Sequence, residues 1–215
     1  NSFMQNETVL YFVRHGQTEW NVKRIMQGHL DSALTSTGIE QAQSVAQVFS
    51  HIPFDFIYSS DLGRAKHTAH IIAHKIKRPI RLAKSLREAT FGKHEGTTEE
   101  KYHELFEKRL LKNPCTTDQD LFHFKADDDI ESPHDVMKRC MKFLKTLTKK
   151  HKGKTILLVT HGGLIRHFLY ATGYKTYKEL RFGAVRSTGY IKVHSNNGIF
   201  TVQETEGIIF SSDTS

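Results

Sequence analysis

Arg14, His15 and Gly16 follow directly on the apolar run Val9 to Val13, and His161 and Gly162 follow directly on a second such run, Ile156 to Val159. A short continuous apolar run is the mark of a buried parallel strand. Ligands of open α/β sheets bind beyond the carboxyl ends of such strands. Two strand ends that each deliver an imidazole, one of them beside a guanidinium, point to one shared site. Neutral imidazole is a nucleophile and a proton carrier, and arginine is a permanent cation whose planar fork matches an oxyanion two atoms at a time.

The elements that must position these groups follow from the pattern between them. Val9 to Val13 forms a strand, and Ile39, Ala42, Val45, Ala46 and Phe49 recur at helical spacing behind the possible caps Thr35 to Thr37. Phe56 to Tyr58 makes a second strand, followed by a helix from about Leu62 to Lys75, and Pro79 and Ile80 open another short strand. A helix is expected over Glu99 to Leu111, an irregular cap over 113–131, and a helix from Pro133 to Lys149 with Ser132 as its N-cap. Thr155 to Thr160 is the second central strand, Leu164 to Thr172 a helix stopped by Gly173, and Thr188 to His194 a hairpin strand. That hairpin turns at Asn196, Asn197 and Gly198 into Ile199 to Glu204. Alternation of this kind predicts an α/β fold, a three-layer α/β/α sandwich with a mostly parallel central sheet and a small cap segment.

Five blocks in this chain resemble the histidine phosphatase superfamily, the phosphoglycerate mutase-like fold. They run through Arg14, His15, Gly16, Gln17, Thr18, Glu19, Trp20 and Asn21 with Gln27 and Gly28; then Ser59 to Leu62 with Arg64; then Leu86, Glu88, Phe91, Gly92 and Glu95; then Thr160, His161, Gly162, Gly163 and Arg166. Asp31, Leu34, Thr35, Gly38, Gln41 and Ala42 fall between the first two in family order. The resemblance implies His15 as the nucleophile that accepts a phosphoryl group, giving a phosphohistidine. It implies Arg14, Arg64, Asn21, Gln27, Gly28, His161 and the Gly162 backbone as phosphate-binding groups, and Glu88 as the general acid. The other ring nitrogen of His15 should donate to a backbone carbonyl near Gly16. No cofactor and no metal are expected, since the nucleophile is a side chain and arginines carry the charge.

Plainer roles exist for the same residues. Arg64 equally suits an ion pair with Asp61 on its helix, Glu88 a solvated loop acid, and His15 by itself a packing residue. His70 and His74 fall four apart on one helix face, where an ordinary polar face is the commoner outcome than a metal site. The presence of Arg14, His15, Arg64, Glu88 and His161 together in family order favours phosphatase chemistry on phosphate monoesters of small metabolites. A phosphoglycerate mutase-type transfer is the alternative, and a non-catalytic module that holds a phosphorylated ligand is a further one. Hydrolysis is preferred because Glu88 is followed by the compact segment Ala89 to Gly96, and the cap lacks an arginine pair. Substrate identity lies in 97–131. The resemblance allows sugar phosphates and bisphosphates, phosphoglycerates, the nucleotide-like phosphate of cobalamin biosynthesis and phosphorylated peptides. Lys93, His94, Lys101, Arg109 and Lys112 are the candidates to reach a second anionic group, against the simpler reading of exposed helix charge.

Composition bounds the rest. With 215 residues and 38% hydrophobic content, residues 4–215 are expected to form one domain, and Asn1, Ser2 and Phe3 before Met4 to lie outside the native sequence. The net charge of +8 favours anionic partners in general. The basic residues are dispersed rather than interleaved with aromatics, so no nucleic-acid partner is expected. Apolar stretches reach about five residues against the roughly 20 a membrane span needs, so no membrane partner is expected either. Cys115 and Cys140 make no disulfide framework. A cytoplasmic monomer or homodimer acting on a small phosphate ester is the resulting expectation.

Overall fold

Each of the two apolar runs feeds both faces of one sheet, because side chains alternate along a strand. In the computed structural model, which describes residues 7–211, the elements run β1 (Thr8–Arg14), α1 (Glu19–Val22), α2 (Ser36–Phe49), β2 (Phe56–Ser59), α3 (Gly63–Ile76) and β3 (Ile80–Leu82). They continue with α4 (Glu99–Lys112), α5 (Asp118–His123), α6 (Pro133–Lys150), β4 (Thr155–Thr160), α7 (Gly162–Ala171), β5 (Val185–Asn196) and β6 (Ile199–Ile208). The strand order is β3-β2-β4-β1-β5-β6. The first four strands pair in parallel, and β5 and β6 close one side antiparallel.

Leu10, Phe12, Ile156 and Leu158 pack against Leu144 of α6 and Phe168 of α7. Their alternate neighbours Tyr11, Val13, Leu157 and Val159 pack on Ala46 and Phe49 of α2 and Ala69 and Ile72 of α3. The result is the expected three layers. In the β1–β4 register Arg14 stands opposite Thr160, so both strands end level and His15 and His161 emerge side by side. The backbone N–H of His15 donates to the Thr160 carbonyl at 3.0 Å, fastening the two ends together.

Local signals account for most boundaries. The Thr35 side chain accepts from the Gly38 N–H and caps α2, and Ser132 forms a capping box with Asp135 ahead of Pro133. At the end of α7, Gly173 at φ +73° donates to the Tyr170 carbonyl and Tyr174 to Leu169, the pair of bonds that closes a helix on a left-handed residue. Asn197 and Gly198, both at positive φ, make the two-residue β5–β6 turn.

Several elements differ from expectation, among them β5 and β6, which begin at Val185 and run to Ile208, beyond the expected Thr188 and Glu204. α7 starts at Gly162 rather than Leu164, because the chain turns helical as soon as β4 ends. The short α1, capped by Thr18, has no apolar periodicity to announce it. Within 113–131, α5 forms on a Thr117–Asp120 capping box, so that segment is only partly irregular. Residues 1–3 lie outside the described residues. Among the described residues no helix is long and apolar enough to cross a membrane.

The rings of Phe12 and Phe168 lie 4.6 Å apart, both fully buried, and tie α7 to the sheet beneath the two histidines. Phe168→Ala should therefore cost about 3–5 kcal/mol of stability. Urea unfolding measures this, and a loss below about 1 kcal/mol would contradict the packing described.

Candidate active site

The site is assembled from His15 outward. His15 is buried, and its Nδ1 lies 2.8 Å from the Gly16 carbonyl. A carbonyl only accepts, so Nδ1 carries the proton and Nε2 keeps its lone pair. Burial, and then the charges of Arg64 and Arg14, push the His15 pKa well below the usual imidazole range, against the smaller opposite effect of the Gly16 bond. The Gly16 N–H donates to Thr68 Oγ at 3.0 Å, which itself donates to the Arg64 carbonyl, so the loop is anchored on α3. The loop packs so closely on the first turn of α2 that a Cβ on Gly16 would enter the Gly38 backbone and one on Gly38 the Gln17 backbone.

Arg64 is the most thoroughly tied cation of the site. Its Nη1 donates to the Leu30 carbonyl at 2.7 Å and to Asp31 at 3.0 Å, its Nη2 to the Gly28 carbonyl at 2.8 Å, and its Nε to His15 Nε2 at 3.3 Å. The sequence alternative of an Arg64–Asp61 pair is overturned: Asp61 is gripped by both ends of Arg87, at 2.7 Å each. A helix-face pair lost to a longer-range partner because Asp31 arrives from the loop beside His15. Arg14, by contrast, spends Nη1 on the Val185 carbonyl, and its buried Nε has no hydrogen-bond partner among the described residues.

His161 stands at the residue just before α7, with its ring 5.2 Å from that of His15. Its Nε2 is 2.8 Å from Ser60 Oγ, while the buried Nδ1 has no partner among the described residues. Burial, then Arg64 and the neighbouring His15, hold its pKa well below the usual range. Arg14 Nε and His161 Nδ1 are thus two buried nitrogens without partners, on residues that adjoin His15 in sequence and in ring contact. Unmet buried nitrogens of this sort are rare in folded proteins and suit an oxyanion that supplies the missing partner.

Glu88 faces the same cavity as Arg14 and His15. One carboxylate oxygen accepts from its neighbour Ala89 and the other from the Gly163 N–H, both at 2.9 Å. A Cβ at 163 would meet that carboxylate, so a side chain there would push Glu88 off the Gly163 N–H. The Glu88 backbone carbonyl is held by Arg139 Nη2 and His29 Nε2, each at 2.9 Å.

Asn21, Gln27, Gly28 and Gly162 all line the cavity. Asn21 uses its side-chain oxygen on the Thr18 N–H, leaving its NH2 as a donor. Gln27 is engaged at both ends, by Thr18 and Ser32, and the Gly28 carbonyl serves Arg64. These two residues thus position the donors around them. Gly162 lies at the N-terminus of α7, where helix N–H groups favour an anion.

Sequence reading passed over Ser60, Asp31, Arg139 and the organising part of Glu95, whose carboxylate gathers the N–H groups of His29, Leu30 and Phe91 and the Thr90 hydroxyl. Only their places inside the matching blocks hinted at the first, second and fourth. Of the five proposed second-anion cations, none lines the cavity. Lys93 and His94 both meet Asp127 at 2.8 Å, Arg109 meets Asp128, and Lys101 and Lys112 are exposed. His94, Asp127 and Asp129 do come within metal-binding reach, but Lys93 already neutralises Asp127. The cap instead roofs a cavity of about 540 Å³ with Phe106, Leu121, Phe124 and Ile130.

An imidazole with an unprotonated Nε2, two guanidiniums and a carboxylate around one cavity, with a second imidazole packed against the first, match what the comparisons find. The family model of the histidine phosphatase superfamily (branch 1) matches residues 10–206. Phosphoglycerate mutase-like protein 4 of Arabidopsis thaliana is 39% identical over 72% of this chain, a match that spans 66% of that relative's length. Putative phosphoserine phosphatase 2 of Hydrogenobacter thermophilus is 34% identical over 73% of this chain and 74% of its own. The solved phosphoglycerate mutase of Bacillus anthracis superposes with a TM-score of 0.81 at 27% identity, covering 97% of this chain and 96% of that one. With the five sequence blocks converging on one cavity at the ends of β1 and β4, the chain belongs to the histidine phosphatase superfamily, branch 1.

Proposed function

We propose that the protein is a phosphatase that hydrolyses phosphate monoesters of small metabolites through a phosphohistidine on His15. The observation that carries this reading is the His15 imidazole itself, held by Gly16 with Nε2 unprotonated and Arg64 Nε 3.3 Å away. Nε2 attacks phosphorus and the ester P–O bond breaks, while Glu88 gives its proton to the departing oxygen. Water then attacks phosphorus, Glu88 takes a proton from it, and the P–N bond breaks to release inorganic phosphate and the free imidazole. Arg14, Arg64, His161 and the N-terminus of α7 stabilise the charge on the phosphoryl oxygens. The long Arg64–His15 contact is one that an arriving oxygen can take over.

Hydrolysis is favoured over transfer to a second hydroxyl by the segment after Glu88. Glu95 folds it into a compact turn, and the nearby Arg87 and Arg139 are committed to Asp61 and Glu131. The phosphoserine phosphatase name of one relative supports the same choice.

His15→Ala should lose roughly a thousandfold or more of the turnover of p-nitrophenyl phosphate. Undiminished phosphate release would remove His15 as nucleophile. Glu88→Gln should slow alkyl phosphates by roughly 100-fold or more, yet aryl phosphates far less, because a phenolate leaves without a proton. Equal slowing of the two classes would deny Glu88 the acid role. Because burial depresses the His15 pKa, the attacking neutral form persists as pH falls through the ordinary imidazole range. Corrected for the substrate's own titration near about pH 6, kcat/KM should show no protonation of a nucleophile around pH 6.5, and a loss centred there would contradict the depressed value.

A further inference from the structure

Two arginines of this cavity are built alike. Arg14 spends one nitrogen on a backbone carbonyl at 2.6 Å, and so does Arg166, whose Nε donates to Leu180 at 2.6 Å. Every other arginine deep in this region has a carboxylate: Arg64 has Asp31, Arg87 has Asp61 and Arg139 has Glu131. Among the described residues Arg166 has no carboxylate within 4 Å, and Glu88 and Asp118 act on it only from farther away. Its guanidinium lies over the Tyr177 ring at 4.8 Å, and Tyr177 is itself stacked on Tyr170 and bonded to the buried His167. The cation is therefore held in one place by a rigid aromatic platform rather than by a counter-ion. It lines the same cavity as His15, four residues beyond Gly162 on α7, which is one helical turn along from the phosphate-binding end.

We propose that Arg166 is a specificity-determining residue that binds a second anionic group of the substrate, at the end remote from the phosphoryl group transferred at His15. This rests on the hydrolase reading above and narrows it to phosphate monoesters that carry a further carboxylate or phosphate. Tyr102, Phe106, Phe124 and Phe182 line the same cavity as the two arginines, so a substrate that reaches from one to the other meets apolar surface as well as Glu88. In a largely apolar cavity an oxyanion meeting a fixed guanidinium gains a charge-assisted bond whose orienting cost is already met by the fold.

The test uses alkyl phosphates of graded chain length that end in a carboxylate, in a second phosphate, or in a neutral carboxamide. The wild-type protein should prefer an anionic end over the carboxamide of equal length by about tenfold or more in kcat/KM, expressed in KM. Which anion gains more identifies the group. Arg166→Met should remove about 10- to 100-fold on the anionic esters and under about threefold on the carboxamides, with Arg166→Lys keeping part of the preference. Should Arg166→Met not fold, Arg166→Gln is read the same way. Absence of any wild-type preference, or equal losses on charged and neutral ends, would overturn the assignment. The same series made as phosphonates and titrated by calorimetry gives the ratio without turnover, so that failure to hydrolyse any ester sinks the hydrolase reading while Arg166 is judged on binding.

Discussion

The bond from His15 Nδ1 to the Gly16 carbonyl, 2.8 Å long, is the constraint around which the site is arranged. It decides which nitrogen is basic, and a neutral ring has only one nucleophilic nitrogen to offer. To hold that geometry, Gly16 must sit against Gly38 without a side chain, its N–H must reach Thr68 on α3, and the His15 N–H must reach the end of β4. Thus α2, α3, β1 and β4 are all drawn to one loop. The two core clusters above and below the sheet supply the stability that this local arrangement draws on.

A second constraint is charge. Cations gathered around an unprotonated imidazole repel one another, and burial raises the cost. The protein offsets this unevenly. Arg64 is paired with Asp31 and bonded to two carbonyls, with its Nε turned to His15, whereas Arg14 and Arg166 are each tethered by a single carbonyl and retain more donors for other partners. His161, kept neutral by burial and by Arg64, adds a nitrogen without adding a charge. Glu88 lies where its carboxylate feels both Arg14 and Arg166. The cavity is therefore graded, with cations along its floor and α7 and an aromatic roof drawn from the cap.

The signals visible in the chain are those of short range. Apolar runs marked β1 and β4, Ser132 with Pro133 marked the start of α6, and Asn197 with Gly198 marked the final turn, because each depends on neighbouring residues' own conformational preferences. α1 and α5 escaped because capping boxes without apolar periodicity leave little trace, and the start of α7 moved by two residues because a glycine pair reads as loop. Among site residues, Arg14, His15, Glu88 and His161 were legible from type and order; the structure brings the first three to one cavity and packs His161, fully buried, against His15.

What the amino-acid order alone determined was the kind of sheet, the two strand ends and the set of reactive side chains they deliver. Tertiary structure alone decided the pairings: Arg64 with Asp31 instead of Asp61, His161 with Ser60, Arg139 with the Glu88 carbonyl, and Arg166 with an aromatic stack in place of an acid. The physical reason is that a charged or hydrogen-bonding side chain can satisfy itself with many partners of similar strength. Which one it meets depends on how loops far apart in the chain are brought together by burial of the core, and no local pattern encodes that closure.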